Sequence, residues 1–223
     1  WGTVLWNGVS VTGSGAINIT GTSGGSGNGN GGNNFGTVIY NNVSVEATGT
    51  GTVTISGTST NTGTGTGNTG VWLTDYTGNG ASIISDSGDI SITGSTGGTD
   101  SSSVGFYSSE NTNASITSTS GDITLTADTM DYKSSMQSSG ALKLQPETAT
   151  TTVGIAGGAG TLNLSTDEIG YLQNGFSSIT IGKADAGAIT VGGSDTFNDD
   201  LNLITDSTIA INGALTINDN MSM

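Results

Sequence analysis

The pattern glycine, any residue, Ile/Val/Leu, any residue, Ile/Val/Leu recurs along this chain, and seven of its copies set a rhythm. The copies are Gly15-Ala-Ile17-Asn-Ile19, Gly51-Thr-Val53-Thr-Ile55, Gly88-Asp-Ile90-Ser-Ile92, Gly121-Asp-Ile123-Thr-Leu125, Gly160-Thr-Leu162-Asn-Leu164, Gly187-Ala-Ile189-Thr-Val191 and Gly213-Ala-Leu215-Thr-Ile217. Alternation with period two after a turn glycine marks a short strand with one buried face. The copies follow one another at steps of 36, 37, 33, 39, 27 and 26 residues. Each strand therefore belongs to a repeating unit that cannot bury its apolar face alone, and such units stack as a solenoid.

A second marker runs in phase with the first. Gly2, Gly36, Gly70, Gly105, Gly140 and Gly170 are each followed two positions later by an apolar residue: Val4, Val38, Trp72, Tyr107, Leu142 and Leu172. The run GTVLWNGVSV from Gly2 aligns with GTVIYNNVSV from Gly36. Each unit thus offers three short strands: one after the marker glycine, one of the V-S-V type, and the Gly-x-Φ-x-Φ strand, where Φ is Ile, Val or Leu. Gly/Ser/Thr/Asn-rich connectors follow, as at Gly21 to Asn34 and Thr58 to Thr69. Three strands per turn predict an all-β, right-handed parallel β-helix. The residues Ile17, Val53, Ile90, Ile123, Leu162, Ile189 and Leu215 are expected in one interior column, unless the late copies mark different faces of shorter coils.

Apolar content is low for a folded protein. Leu, Ile, Val and Phe make up about one residue in five and the net charge is −15, a combination at the edge of the disordered class. Periodicity decides for a fold, because a disordered chain has no reason to repeat Ile at fixed distances from glycine. A solenoid needs only a narrow apolar column, with backbone hydrogen bonds between coils supplying much of the cohesion. Side-chain ladders of Asn, Ser and Thr can add to it, an option open to Asn7 and Asn41 in equivalent units.

Composition also excludes several functions. With 3 lysines, no arginine and 18 carboxylates, no basic face exists to hold a phosphate backbone or an anionic lipid surface. The absence of cysteine removes disulfides and thiolate metal sites, and without Cys or His no Ser-His or Cys-His nucleophile is available. No apolar stretch approaches the roughly 20 residues of a membrane span, and no signal peptide is visible.

Along the chain, residues 1–140 hold regular units of about 34 residues, while 141–223 read as shorter coils. The change falls at Leu142-Lys-Leu144-Gln-Pro146, with the only proline and a threonine run after it. No linker separates two domains, so residues 1–223 are expected to form one continuous stack. Ser165-Thr-Asp-Glu168 has the spacing of a capping box and predicts one short external helix near 165–173. The Asn-Gly pairs at Asn7, Asn79, Asn174 and Asn212 fit tight turns with positive φ.

The run LKLQPETATTTVGIAGGAGTLNLSTDEIGYLQNGFSSITIGKADAGAITVGGSDTFNDDL resembles repeats of filamentous-haemagglutinin-like surface proteins of Gram-negative bacteria, many of them exported by two-partner secretion. The upstream segments GTGTVTISGTSTNTGTGTGNTGVWL, SGDISITG and SGDITLTADTMD are similar to the same family's repeats, so the resemblance covers nearly the whole chain. It implies a right-handed parallel β-helix in an adhesive cell-surface fibre, with no catalytic residue carried over. The family's amino-terminal secretion domain is not visible here.

Parallel β-helices also host polysaccharide lyases and glycosidases. A lyase needs basic residues, and Lys133, Lys143 and Lys183 are scattered. A hydrolase needs two carboxylates, for which Asp86/Asp89, Asp128/Asp131 and Asp199/Asp200 are the candidates. Asp89 and Asp122 occupy the same place in neighbouring copies, so on adjacent coils they would either hold a cation such as Ca²⁺ or stand as separate solvated turn residues; the solvated reading is favoured. Trp1, Trp6, Tyr40, Trp72, Tyr76, Phe106 and Tyr107 crowd the first half. On a surface they would form a stacking platform for sugar rings, but several fall on inward positions of the repeat, which favours an aromatic core column. The Asn-x-Ser/Thr sequons at Asn18, Asn42, Asn113, Asn163 and Asn220 are expected from composition alone.

The expected function is therefore a non-catalytic structural and adhesive segment of a bacterial cell-surface or extracellular fibre, without cofactor or bound metal. The runner-up is a carbohydrate-binding or carbohydrate-processing β-helix of the tail-spike type. The chain opens on a repeat strand at Trp1 and runs on to Met223 without a capping pattern. Its expected partners are the remainder of a longer polypeptide or further copies stacked end to end as a filament, with a glycan or cell-surface receptor as the adhesive target.

Overall fold

The computed structural model describes residues 1–24, 32–62, 65–76, 78–109 and 113–223. Parts of the connectors at Gly21 to Asn34 and Thr58 to Thr69 lie outside the described residues. The first coil contains β1 (Thr3–Trp6), β2 (Ser10–Gly13) and β3 (Ile17–Ser23). The next three coils repeat it as β4 (Phe35–Tyr40), β5 (Ser44–Ala47) and β6 (Val53–Ser59), then β7 (Thr69–Thr74), β8 (Ser82–Ser85) and β9 (Ile90–Thr96), then β10 (Val104–Ser108), β11 (Ser115–Ser118) and β12 (Ile123–Thr126). A fifth, shorter coil holds β13 (Met130–Asp131), β14 (Ser135–Gln137) and β15 (Ala141–Gln145). Three faces result, with strand orders β1-β4-β7-β10-β13, β2-β5-β8-β11-β14 and β3-β6-β9-β12-β15.

Beyond Pro146 the coils change. β16 (Val153–Ile155) is followed by β17 (Leu162–Leu164), and the two pair directly, Val153 opposite Leu162. A reversal through Ala156 and Gly157, both at positive φ, returns the chain so that β17 packs against β13. The helix α1 (Thr166–Gly170) and then β18 (Ser178–Gly182) complete that coil. β19 (Ile189–Val191), β20 (Asp195–Phe197) and β21 (Leu201–Ile204) form the next, and β22 (Ile209–Ile211), β23 (Leu215–Ile217) and β24 (Met221–Ser222) the last. Every ladder between these strands is parallel, and the molecule is a parallel β-helix.

One sheet runs through the whole stack, from β3 through β6, β9, β12, β15, β18 and β21 to β24. Its inner column is Ile17, Val53, Ile90, Ile123, Leu142, Ile179, Leu201 and Met221. At about 4.8 Å per step it spans on the order of 34 Å. Of the seven copies named from the sequence, only the first four therefore share the expected column. Leu162 and Ile189 stand in the sheet β17-β16-β19-β22, and Leu215 pairs with Asp195 in the sheet β20-β23. The shortened coils rotate the late copies onto other faces, which is the alternative that the sequence left open. The second marker divides in the same way. Val4, Val38, Trp72 and Tyr107 are register partners, whereas Leu142 belongs to the long sheet and Leu172 bridges to Met136.

The core fills the space between the faces. Ile39, Val45, Ile55, Leu73, Ile83, Ile116, Leu125 and Leu144 have no solvent exposure. Burying such a side chain stabilises the fold by about 1.5–3 kcal/mol. Hydroxyls of the inner corner add cross-coil bonds, with Ser85 Oγ donating to Gly51 O at 2.9 Å, Ser118 Oγ to Gly88 O at 3.1 Å and Ser138 Oγ to Gly121 O at 2.6 Å. An asparagine step forms at Asn34, whose Nδ2 donates to Asn68 Oδ1 at 2.9 Å. Asn7 and Asn41 occupy equivalent turns at φ 52° and 54°, and the Asn41 side chain accepts from the Tyr76 N–H. Positive φ also occurs at Gly8, Gly80 and Gly175 of the Asn-Gly turns.

The predicted helix is present and short. Ser165 caps α1 with a complete capping box, in which Glu168 Oε2 accepts the Ser165 N–H at 2.8 Å. The other Glu168 oxygen accepts the Tyr132 N–H at 3.2 Å, tying the helix to the fifth coil. Tyr132 itself is fully buried and its hydroxyl has no hydrogen-bond partner. Burial of the phenol, with a smaller contribution from the Glu168 charge, pushes its pKa well above the ordinary value. An unpaired buried hydroxyl carries a desolvation cost that its removal relieves. Tyr132→Phe should therefore stabilise the protein by about 1 kcal/mol, raising the thermal midpoint by roughly 2–4 °C. A thermal unfolding comparison at neutral pH measures this directly, and a lowered midpoint would contradict the assignment.

Candidate functional site

The strands of the first face are apolar on both sides. In β1, β4 and β7 the inward positions carry Leu5, Ile39 and Leu73, of which Ile39 and Leu73 are fully buried in the core. The alternate positions carry Val4, Val38 and Trp72 in one row, and Trp6, Tyr40 and Thr74 in the next. Period-two alternation turns these rows away from the core. Val38 and Phe35 are buried nonetheless, yet neither joins the core cluster. What covers them is an aromatic layer on the outside of the β-helix.

That layer has the form of a groove running across the coils. One wall is Trp1 and Phe35, with ring centroids 5.6 Å apart, and the Trp1 indole N–H donates to Asn33 O at 3.1 Å. The other wall is Trp6 and Tyr40, 5.8 Å apart and edge to face. Val4 and Val38 form the floor. Trp72, the next member of the floor row, stands 4.4 Å from Phe35 and 6.1 Å from Tyr40 and closes the groove on that side. The ring contacts continue outward to Tyr76 at 5.7 Å from Tyr40 and to Tyr107 at 6.4 Å from Trp72. The enclosed volume is about 360 Å³, within the range of small-molecule sites. Trp1, Trp6 and Tyr76 remain more than half exposed, so the rings present their surfaces to solvent.

The expected aromatic core column is thus corrected. Of the seven aromatics named from the sequence, only Phe106 lies in the core, and Phe35, which that reading passed over, joins the outer layer. Trp6, Tyr40, Trp72 and Tyr107 sit on the outer face because their strands offer apolar residues at both parities, so alternation alone does not show which side turns in.

Of the carboxylates named from the sequence, Asp86, Asp89, Asp122, Asp128, Asp199 and Asp200 serve coil-to-coil bonding, while Asp131 lies on β13. Asp89 and Asp122 do stand on adjacent coils, and Asp89 Oδ1 accepts the Asp122 N–H at 2.9 Å, while Asp122 Oδ1 accepts the Ala141 N–H at 2.8 Å. Both stay exposed to solvent, as the favoured reading had them, and each also accepts from the backbone of the next coil in a side-chain-to-backbone ladder. Asp86 accepts from the Gly49 N–H, Asp128 from Thr148 and Thr151, Asp199 from the Gly175 N–H and Asp200 from Asn220. The bonds from the Asn220 backbone and side chain hold the Asp200 carboxyl below its usual pKa. Asp195, which the sequence did not single out, differs from these. Its Oδ2 is buried without a partner beside a cavity of about 110 Å³ that Asp199 also lines, and burial raises its pKa. No cluster of three or more His, Cys, Asp or Glu side chains suited to a metal occurs among the described residues. Sequon amides at Asn113, Asn163 and Asn220 donate hydrogen bonds within the protein.

Compared with known proteins, the chain matches no family model, no curated protein and no solved structure.

Proposed function

We propose that this chain is a structural and adhesive segment of an extracellular or bacterial cell-surface fibre, without catalysis. The observation that carries the reading is the aromatic groove, an exposed apolar contact surface built on the outside of a continuous β-helix. Contiguous exposed apolar surface on a soluble protein marks an interaction site. The scaffold suits the task, since its parallel ladders hold each ring at a fixed position along the axis. Support also comes from the similarity of the repeats to filamentous-haemagglutinin-like proteins. In this reading the edge strands at the ends of the stack meet further coils, from the same polypeptide or from another copy.

The tail-spike alternative shares the carbohydrate contact but adds hydrolysis. None of the eight residues lining the groove is a carboxylate, and two facing carboxylates are what glycoside hydrolysis requires. Beads coated with the purified chain should adhere to host or bacterial cell surfaces, while reducing-sugar assays on polysaccharides stay at background. Turnover of any polysaccharide would replace the adhesive reading by an enzymatic one, and adhesion no greater than that of uncoated beads on all surfaces would remove it.

A further inference from the structure

We infer that the aromatic groove of the first three coils binds a neutral glycan chain laid along the axis of the stack. The inference rests on the adhesive reading and names the chemistry of its contact. Charge is the first argument. Of the 18 carboxylates, Glu46 alone falls within residues 1–74, and the three lysines are all later, at 133, 143 and 183. The remaining 17 carboxylates, 18 less that one, lie from Asp75 onward. The groove therefore sits in a nearly uncharged region of a strongly acidic molecule. A sulfated or uronic polymer would find no cationic side chain there and would meet the net charge of −15. A basic partner would be drawn to the later coils instead.

The second argument is the form of the surface. A pyranose ring has C–H faces that pack on an aromatic ring and a hydroxylated rim that needs polar partners. The groove offers both. Its walls are rings with amphipathic edges, Trp6 and Tyr40, whose N–H and O–H tips accompany large apolar faces, and Asn33 stands at its margin.

The third argument is spacing. Successive rings of each wall are 5.6 and 5.8 Å apart because successive strands are stacked coils. That interval is close to the length of one sugar unit in a linear polymer. A chain running along the axis thus meets a ring at each of the first two coils, and the half-exposed Tyr76, two residues past Thr74 on the third coil, stands 5.7 Å from Tyr40.

The test is a glycan array with neutral and acidic members, followed by titration of neutral linear gluco-, galacto- and manno-oligosaccharides with tryptophan fluorescence as the readout. Trp6→Ala and Tyr40→Ala are the variants, and unchanged circular dichroism verifies that each is folded. The expected result is retention of neutral oligosaccharides, insensitive to salt, with affinity about tenfold weaker in each variant. Absence of neutral-glycan binding, binding unaffected by both variants, or salt-sensitive binding of acidic glycans alone would overturn the inference. So would dimerisation in sedimentation that both variants abolish, since the groove would then belong to a second copy. Bead adhesion separates the two proposals. Adhesion without neutral-glycan binding sinks this inference and leaves the adhesive reading standing, and glycan binding without adhesion does the reverse.

Discussion

Replacing Gly57 by alanine should unravel the first coils of the β-helix, at a cost of about 3 kcal/mol or more. Gly21, Gly57 and Gly94 are register partners in the long sheet. They face the marker glycines Gly36, Gly70 and Gly105 of the first sheet across a backbone-to-backbone contact. A Cβ on Gly57 would lie 2.1 Å from Gly70 O, 2.7 Å from its carbonyl carbon and 2.8 Å from Val71 Cγ2. Neither sheet can yield alone, because β6 is bonded to β3 and β9 on both sides, and β7 likewise to β4 and β10. Gly170 is the matched control. It ends α1, and no atom lies within 4 Å of the place a methyl group would take there, so Gly170→Ala should change stability by no more than about 0.5 kcal/mol. Solenoid coupling is mainly between neighbours. Hydrogen exchange on Gly57→Ala should therefore lose protection in β4 to β9 while β18 to β24 keep theirs. Equal stability of the two variants would show that the sheet-to-sheet contact is softer than its geometry implies.

The same glycines explain why so much of this fold is legible in the sequence. The 34-residue marker is the trace of that close approach, and close approach leaves a signal that no other residue type can give. The Gly-x-Φ-x-Φ copies are readable for a related reason, since Gly88 and Gly121 each pack against the glycine of the preceding coil, 2.0 Å from its oxygen to their would-be Cβ. Legibility fails where coil length changes. Gly140-Ala-Leu142-Lys-Leu144 fits the strand pattern and continues the long column, whereas Gly160-Thr-Leu162 fits it equally and lies on another face. A pattern of two apolar positions fixes which side of a strand is buried, but not which face of the solenoid the strand joins. The groove is half legible. Its aromatics stand out, but Val-Leu-Trp and Val-Ile-Tyr are apolar at both parities, which hides the side they occupy. The one clue is that Trp6 and Tyr40 share the parity of Val4 and Val38, opposite to that of Leu5 and Ile39. The carboxylate ladder leaves no clue beyond the equal positions of Asp89 and Asp122, since nothing in sequence says that a side chain will accept from the coil above.

Glu168→Ala should destabilise the junction between the fifth coil and α1 by about 2–3 kcal/mol, and the loss should depend on pH. Both carboxylate oxygens are used as acceptors. Oε1 takes the Tyr132 N–H, while Oε2 takes the Ser165 N–H and the Ser165 hydroxyl at 2.7 Å. Alanine leaves the buried Tyr132 amide and the half-buried Ser165 amide without those acceptors, and it removes the capping box as well. Opposing this, burial raises the Glu168 pKa above its ordinary 4.5, with the hydrogen bonds from Ser165 and Tyr132 acting in the other direction. The fold therefore favours the protonated carboxyl relative to the unfolded chain. Its linked contribution is full below pH 4.5 and shrinks as pH rises through the folded-state value. The alanine variant has no such titration, and carboxylates without a charge interaction with Glu168 cancel in the difference, whereas the nearby Asp131 charge acts in the same direction as burial. Urea midpoints of the two proteins should accordingly lie further apart at pH 4 than at pH 7. Glu168→Gln separates the two effects. It keeps one acceptor oxygen and no charge, so it should lose the pH dependence while retaining part of the stability. A gap that widens toward neutral pH would mean that the ionised carboxylate is the form the site prefers, and that its three hydrogen bonds outweigh its burial.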